Sequence, residues 1–104
     1  MSDAILLERL RETLGELPEL TTVPAYGGHG FSTKGKLFAI LVRDRFYLRT
    51  DAGTRPIFER AGCGPLQHLG MRSLEVFYQV PAMVMQNPVA LVAWSRQAAA
   101  TDPS

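Results

Sequence analysis

A chain of 104 residues has room for one hydrophobic core, so its length excludes two independently folded domains. Apolar residues at 46% and charged residues at 20% are typical of a folded domain and exclude a largely disordered chain. The formal net charge of +1 excludes the strongly basic balance of a dedicated nucleic-acid binder, and the single cysteine excludes an internal disulfide.

The N-terminal segment, residues 3–16, has the pattern of an amphipathic helix. Asp3 is a suitable N-cap, and Gly15 and Pro18 mark the end of the helical pattern. The leucines that would form its buried face recur at helical spacing: Leu6, Leu10, Leu14 and Leu17.

Two strands joined by a glycine-rich bend are predicted next. Residues 21–26 are rich in β-branched side chains, and Pro24 within them indicates a strand at the edge of a sheet. Gly27, Gly28 and Gly30 then predict a bend or bulge, because glycine adopts positive φ without steric cost.

Residues 36–42 form a nearly continuous apolar run. The run is too short for a typical helix and predicts a central strand covered on both faces. It is also far shorter than the roughly 20 residues of a membrane helix, and no signal peptide is visible. We therefore expect a soluble, cytoplasmic protein with no membrane contact. A further strand at residues 46–50 would follow a tight hairpin turn at Asp44-Arg45.

A second short helix is predicted at residues 54–61. Pro56 stands in its first turn, Gly62 follows its last, and Ile57 and Phe58 would be its apolar contacts.

The C-terminal third predicts a second hairpin and a final helix. Residues 66–69 and 74–80 would pair through a turn near Gly70-Met71. Asn87-Pro88 is a favourable helix start, and residues 99–104 are expected to form a disordered tail. The buried stripe of the final helix would be Leu91, Trp94, Ser95 and Ala98.

This order of elements predicts an α+β fold. An antiparallel β-sheet would pack in two layers against the N- and C-terminal helices, with a short helix between strands. We expect residues 1–98 to form a single domain.

The stretch "GFSTKGK", residues 30–36, has the spacing of a phosphate-binding loop. Such a loop needs Ser or Thr after its lysine and a helix whose N-terminal amides face the phosphates. Here Leu37 follows Lys36, and a strand is predicted instead of a helix. The sequence therefore predicts a solvated turn at Lys34-Gly35-Lys36 and no nucleotide or other cofactor.

Cys63 and His68 are the one pair that suggests nucleophilic catalysis. They are five residues apart in a loop that contains Gly64 and Pro65, but no third group is positioned to orient them. A partly buried structural cysteine is the favoured interpretation, because free cysteine is among the most buried residue types. No residue is assigned a catalytic role, and neither histidine has neighbours at metal-ligand spacing.

A basic segment is the main candidate for an interaction surface. Residues 34–60 contain seven basic and three acidic residues, whereas the N-terminal helix is acidic. The surface could bind phosphates or an acidic partner, and the competing interpretation is a set of solvated arginines that improves solubility. The candidate residues lie in or beside the strand at 46–50: Arg43, Arg45, Tyr47 and Arg49. Alternation places Tyr47 and Arg49 on one face of that strand, and Phe46 and Leu48 on the other.

Several motifs occur together in a specific order. They are a Gly-Gly-x-Gly-aromatic bend at residues 27–31, an apolar strand, an aromatic-leucine-basic strand, Arg-Pro-x-Phe-Glu-x-Ala-Gly at residues 55–62 and Tyr-x-Val-Pro at residues 78–81. In this order they resemble the N-terminal domain of the TfoX family, named for a bacterial regulator of DNA-transformation competence. The resemblance covers residues 20–98.

The resemblance implies a two-layer α+β fold in a non-enzymatic bacterial protein connected with competence-gene and transcription regulation. It brings no catalytic residues, and the matching positions look structural: Gly27, Gly28, Gly30, Pro56, Phe58, Gly62, Tyr78, Pro81 and Trp94.

Two functional hypotheses follow. The first is an interaction module that contacts protein partners, which the sequence does not identify. The alternative is a nucleic-acid-binding domain that uses the basic face of residues 34–60. A homodimer is also compatible with the sequence, through the strand at Phe46-Tyr47-Leu48 or through the C-terminal helix.

Overall fold

The structure, a computed structural model, describes residues 3–67 and 72–101. These residues form the predicted α+β fold, with five antiparallel strands and four α-helices. In chain order the elements are α1 (Asp3–Thr13), β1 (Leu20–Ala25), β2 (Gly28–Thr33), β3 (Lys36–Val42), β4 (Arg45–Arg49), α2 (Arg55–Arg60), a 3₁₀ helix (Arg72–Val76), β5 (Phe77–Gln79), α3 (Ala82–Met85) and α4 (Pro88–Ala100).

The sheet is a simple meander in which sequence order equals spatial order, β1-β2-β3-β4-β5. The apolar run at residues 36–42 is the middle strand, as predicted. β1, which contains Pro24, lies at an edge, and this also confirms the prediction.

Both faces of β3 are buried, in two separate hydrophobic clusters. Phe38, Ala39 and Leu41 face the helices α1 and α4, in a cluster that includes Leu10, Leu14, Leu91 and Ala98. Ile40 and Val42 face the other side, where Leu66, Leu74 and Phe77 cover them. The helices therefore cover one face of the sheet, and the segment before β5 covers part of the other.

A β-bulge explains why two consecutive residues of β3 face the helices. Phe31 pairs with Ala39 and Ser32 pairs with Leu37, which leaves Phe38 as the extra residue. A bulge allows neighbouring side chains to point to the same face. Phe38 and Ala39 are both completely buried on the helix side.

The three hairpins use two-residue turns with positive φ at both positions. These turns are Tyr26-Gly27, Lys34-Gly35 and Arg43-Asp44. Such turns match the right-handed twist of the strands they join. The predicted turn at Asp44-Arg45 is wrong by one residue, because Arg45 already pairs with Val42.

Gly28 and Gly30 do not form the predicted bend; both lie within β2 at ordinary strand φ. Their role is to permit close packing. A Cβ on Gly28 would collide with the backbone carbonyl oxygen of Leu41, and one on Gly30 would lie 2.8 Å from Cδ1 of Leu37. Of these three glycines only Gly27 has positive φ, +79°, and it shares the turn with Tyr26.

The predicted second hairpin is wrong in its strands. Residues 74–76 belong to the 3₁₀ helix Arg72–Val76, and β5 contains only Phe77–Gln79. Leu74 and Phe77 are buried three residues apart, which a 3₁₀ turn achieves and strand alternation does not. Next to the segment predicted as the other strand, residues 66–69, Pro65 makes an isolated bridge to Tyr78. Residues 68–71, which include the predicted turn, lie outside the described residues.

The helices largely follow the predicted pattern. α2 begins after Thr54 with Pro56 in its first turn, but Ile57 is 45% exposed and only Phe58 is buried. α4 begins at the predicted cap, where the Asn87 side chain accepts a hydrogen bond from the Ala90 N–H. α1 ends at Thr13, three residues early, and the turn α3 was not predicted.

The end of the domain lies further along the chain than predicted. α4 continues through Ala100, and Thr101 is buried with its hydroxyl donating to the Gln97 carbonyl. Residues 99–101 are thus ordered parts of the fold rather than a tail, and residues 102–104 lie outside the described residues. None of the helices within residues 3–67 and 72–101 has the length and hydropathy of a membrane span.

The packing of Gly28 generates a stability prediction. We expect Gly28→Ala to lower the free energy of unfolding by about 1–3 kcal/mol, because the added methyl group forces β2 away from the Leu41 carbonyl. Urea unfolding followed by circular dichroism measures the change. Gly64→Ala is the matched control, because nothing lies within 4 Å of a Cβ placed there. Equal stability of the two variants would contradict the packing role of Gly28.

Candidate functional site

The hairpin between β3 and β4 presents two exposed arginines. Arg43 occupies the first position of the turn with φ +52°, and Arg45 begins β4. Left-handed backbone costs a residue such as arginine about 1–2 kcal/mol, which the pairing of the flanking strands offsets. No ion pair joins either guanidinium to another residue of the described ranges.

These arginines border an open groove of about 350 Å³. Tyr47 lies in the groove but is only 8% exposed, because it belongs to the cluster that Leu66, Leu74 and Phe77 form against the sheet. The groove is lined by Val42, Arg43, Arg45, Tyr47, Pro65, Leu66 and Gln67. The structure thus brings together three of the four predicted surface residues. We call this set of lining residues the arginine groove.

Arg49, the fourth predicted residue, serves the packing of the sheet instead. Its Nε donates a hydrogen bond of 3.0 Å to the Leu37 carbonyl, and its guanidinium carbon lies 5.0 Å from the centre of the Phe77 ring. Burial lowers the pKa of this guanidinium. As predicted, Tyr47 and Arg49 share one face of β4, opposite Phe46 and Leu48. Arg49 therefore contributes a desolvated, stacked cation rather than an exposed one.

The strand at Phe46-Tyr47-Leu48 does not offer the dimer interface considered from the sequence. β4 is hydrogen-bonded on both sides, to β3 and to β5. Phe46 is 2% exposed and Leu48 is fully buried, so neither side chain is free to contact a second molecule. This interface expectation is wrong because the strand is interior to the sheet.

The glycine-lysine stretch at residues 30–36 has no phosphate-binding geometry. Gly30 is buried within β2, and Lys34 and Gly35 form the turn into β3. Because the strand β3 follows the turn, this loop does not lead into a helix whose N-terminal amides could face a phosphate.

Cys63 is positioned as a structural thiol. Burial raises the pKa of the Cys63 thiol, which disfavours the thiolate that a nucleophile would need. Its Sγ donates a long hydrogen bond of 4.0 Å to the Ala61 carbonyl. His68, the proposed catalytic partner, lies outside the described residues. Within the described ranges, no three His, Cys, Asp or Glu side chains gather as a metal site would require.

A polar network that was not predicted attaches α2 to the sheet. The Tyr78 hydroxyl donates a 3.2 Å hydrogen bond to the Glu59 carboxylate, and the Arg55 guanidinium lies over the Tyr78 ring at 5.8 Å. Burial, followed by the bond to Glu59, raises the pKa of Tyr78. Arg55 also donates to the Thr50 hydroxyl, which itself donates to the Val76 carbonyl. The i, i+4 spacing of Arg55 and Glu59 was the sequence signal, since it puts both side chains on one helix face.

Beside this network, α2 and the C-terminal half of α4 enclose a cavity of about 170 Å³. Its aromatic wall is built around Phe58, whose ring makes edge-to-face contacts with Trp94 at 5.0 Å and Tyr78 at 6.1 Å. The residues of the resembling motifs at residues 55–62 and 78–81 thus meet at one place, where they join a helix to the sheet.

Comparison with known protein families identifies the family of this chain. A family model described as TfoX N-terminal domain matches residues 12–101, which is most of the chain. Among curated proteins no match was found.

The α2 network generates a second stability prediction. We expect Tyr78→Phe to lower the free energy of unfolding by about 1 kcal/mol, because it removes the hydrogen bond to the Glu59 carboxylate. Glu59→Gln should also lower the free energy of unfolding. Its effect should be smaller in the Tyr78→Phe protein than in the wild type, because the hydrogen bond is already absent there.

Chemical denaturation of both single variants and the double variant gives the coupling energy. Tyr47→Phe is the control, because the Tyr47 hydroxyl has no hydrogen-bond partner among residues 3–67 and 72–101. A coupling energy of zero would mean that the Tyr78–Glu59 bond does not hold α2 in place.

Proposed function

Because the chain belongs to the TfoX N-terminal domain family, we propose that it is a non-enzymatic regulatory domain of the bacterial cytoplasm. It acts in competence or transcription regulation by contacting a protein partner. The observation that carries the proposal is the family match over residues 12–101, which includes every strand and the helices α2, α3 and α4.

The placement of the chemically reactive side chains supports a role without catalysis. The Cys63 thiol has a raised pKa, Lys34 lies in a β-turn and Lys36 begins β3, and the Tyr78 hydroxyl is used to attach α2.

The arginine groove is the surface that we propose for partner contact. Arg43 and Arg45 are exposed and carry two positive charges above a floor that includes Tyr47 and Leu66. Exposed arginines beside a tyrosine are typical of protein interfaces, in which arginine and aromatic residues are enriched. A partner with exposed carboxylates would complement this groove in charge.

A genetic test in the host bacterium follows from this proposal. Deletion of the gene should change the transcript levels of DNA-uptake genes, and the wild-type protein should restore them. We expect Cys63→Ser to restore them equally well and Arg43→Glu/Arg45→Glu to fail, because reversed charge repels an acidic partner. Arg60→Glu, at an exposed site on α2, is the charge-reversal control, and Arg45→Glu alone matches its change in net charge.

Two outcomes would contradict the proposal. One is failure of Cys63→Ser while the variant remains folded, which would point to chemistry at the thiol. The other is a clear increase in the melting temperature of the purified protein with ATP and Mg²⁺, which would indicate a nucleotide site.

A second candidate function is nucleic-acid binding, favoured by the absence of ion pairs at Arg43 and Arg45 within the described ranges. Such binding should weaken steeply with salt, because contacts to phosphates release counterions. Arg43→Ala/Arg45→Ala should lower the affinity for a DNA duplex and reduce the salt slope by about 2, whereas Arg60→Ala should change neither. Fluorescence anisotropy over a salt series measures both quantities. Undetectable binding at low salt would exclude this function.

A further inference from the structure

β1 is the one long strand edge left open in the described part of the chain. It has six residues and hydrogen-bonds to β2 alone among the described strands. The opposite edge, β5, has three residues, and Pro65 bridges it at Tyr78. An open depression of about 570 Å³, lined in part by Gly15, Leu17 and Thr22, lies beside the first half of β1.

The hairpin turn determines which backbone groups of β1 point outward. The two-residue turn at Tyr26-Gly27 makes Ala25 and Gly28 a hydrogen-bonded pair. Because hydrogen-bonded and non-hydrogen-bonded pairs alternate, Thr21, Val23 and Ala25 direct their N–H and C=O groups toward β2. The outward residues are Leu20, Thr22 and Pro24.

Pro24 therefore stands at a position whose N–H would face outward, as edge prolines do. It removes one donor from the open edge and leaves the N–H groups of Leu20 and Thr22 in place. The carbonyls of all three outward residues also remain available as acceptors.

We propose that β1 pairs antiparallel with β1 of a second copy, about a twofold axis at Thr22. Thr22 then lies opposite Thr22 of the second copy and exchanges two N–H to C=O bonds with it. Leu20 lies opposite Pro24 of the second copy and donates its N–H to that carbonyl, in both directions. The proline leaves only the Leu20 carbonyl without a partner in the second strand.

The side chains of β1 support this register. Val23 is 47% exposed, and its Cγ2 lies 3.6 Å from the Cβ position of Gly30, on the face that also carries Leu37. In the proposed dimer Val23 lies opposite Thr21 of the second copy, in a pair that is not hydrogen-bonded. Side chains of such pairs approach closely, and pairs of β-branched residues stabilise a sheet. The exposed Val23 side chain is thereby covered by another β-branched side chain.

The charge of the edge indicates a second copy as the occupant. Residues 20–28 contain no charged side chain, whereas monomeric proteins commonly guard an edge strand with charges. Two identical neutral strands can approach without repulsion, and a twofold axis needs only one self-complementary patch. The dimer would join two five-stranded sheets into one sheet of ten strands.

Sedimentation velocity over a concentration series extending into the high micromolar range tests the proposal. The wild type is expected to dimerise, and Thr22→Pro should weaken dimerisation by about tenfold or more, because it removes both central hydrogen bonds. Thr22→Val keeps the N–H and should dimerise like the wild type. The β1–β2 ladder does not use the Thr22 N–H, so both variants should retain the wild-type circular dichroism spectrum.

Amide hydrogen exchange identifies the interface even where a variant folds poorly. The amides of Leu20 and Thr22 should be protected at high concentration and exchange rapidly on dilution, whereas the Val23 amide should be protected at both. A wild type that stays monomeric at the highest concentration would overturn the proposal. A dimer in which the Thr22 amide is not protected would also overturn it. Protection that arises only when a foreign peptide is added would overturn it as well, because a different chain would then pair with the edge of β1.

Discussion

The fold depends on burying both faces of β3. The strand carries six consecutive apolar residues, so water must be excluded from each side of it. Helices α1 and α4 exclude water from one face, and the segment that leads into β5 excludes it from the other. Because burial of each large apolar side chain stabilises the fold by about 1.5–3 kcal/mol, this strand determines where every other element lies. The bulge at Phe38 follows from the same constraint, since it turns one extra aromatic ring into the helix-side core.

The proposed interaction surface is a consequence of that arrangement. β3 and β4 must pair tightly, and a two-residue turn is the shortest connection between them. The turn projects Arg43 and Arg45 into solvent, while the buried position of Tyr47 makes the tyrosine part of the groove floor. Arg49, two residues further along the same face as Tyr47, reaches the Leu37 carbonyl and the Phe77 ring and so becomes part of the packing. Of these four neighbouring residues, the first three line the arginine groove and Arg49 belongs to the packing of the sheet.

The family motifs also acquire a common physical meaning. The segments at residues 55–62 and 78–81 are separated in the chain, yet Phe58, Glu59 and Tyr78 are in direct contact. A chain that keeps these motifs keeps the attachment of α2 to the sheet.

The sequence by itself determined the elements that rest on local chemistry. The apolar run predicted β3 to the residue, Asn87-Pro88 predicted the start of α4, and Pro24 predicted an edge strand, because cap, proline and strand preferences act within a few residues. The ordered motifs also identified the family. Only the tertiary structure decided the remaining features. It placed Gly28 and Gly30 inside a strand because the neighbouring backbone and the Leu37 side chain approach them, and it made residues 72–76 a 3₁₀ helix because Leu74 and Phe77 share one cluster. It also separated Arg49 from the arginine groove, because the Arg49 side chain contacts the Leu37 carbonyl of β3 and the Phe77 ring of β5.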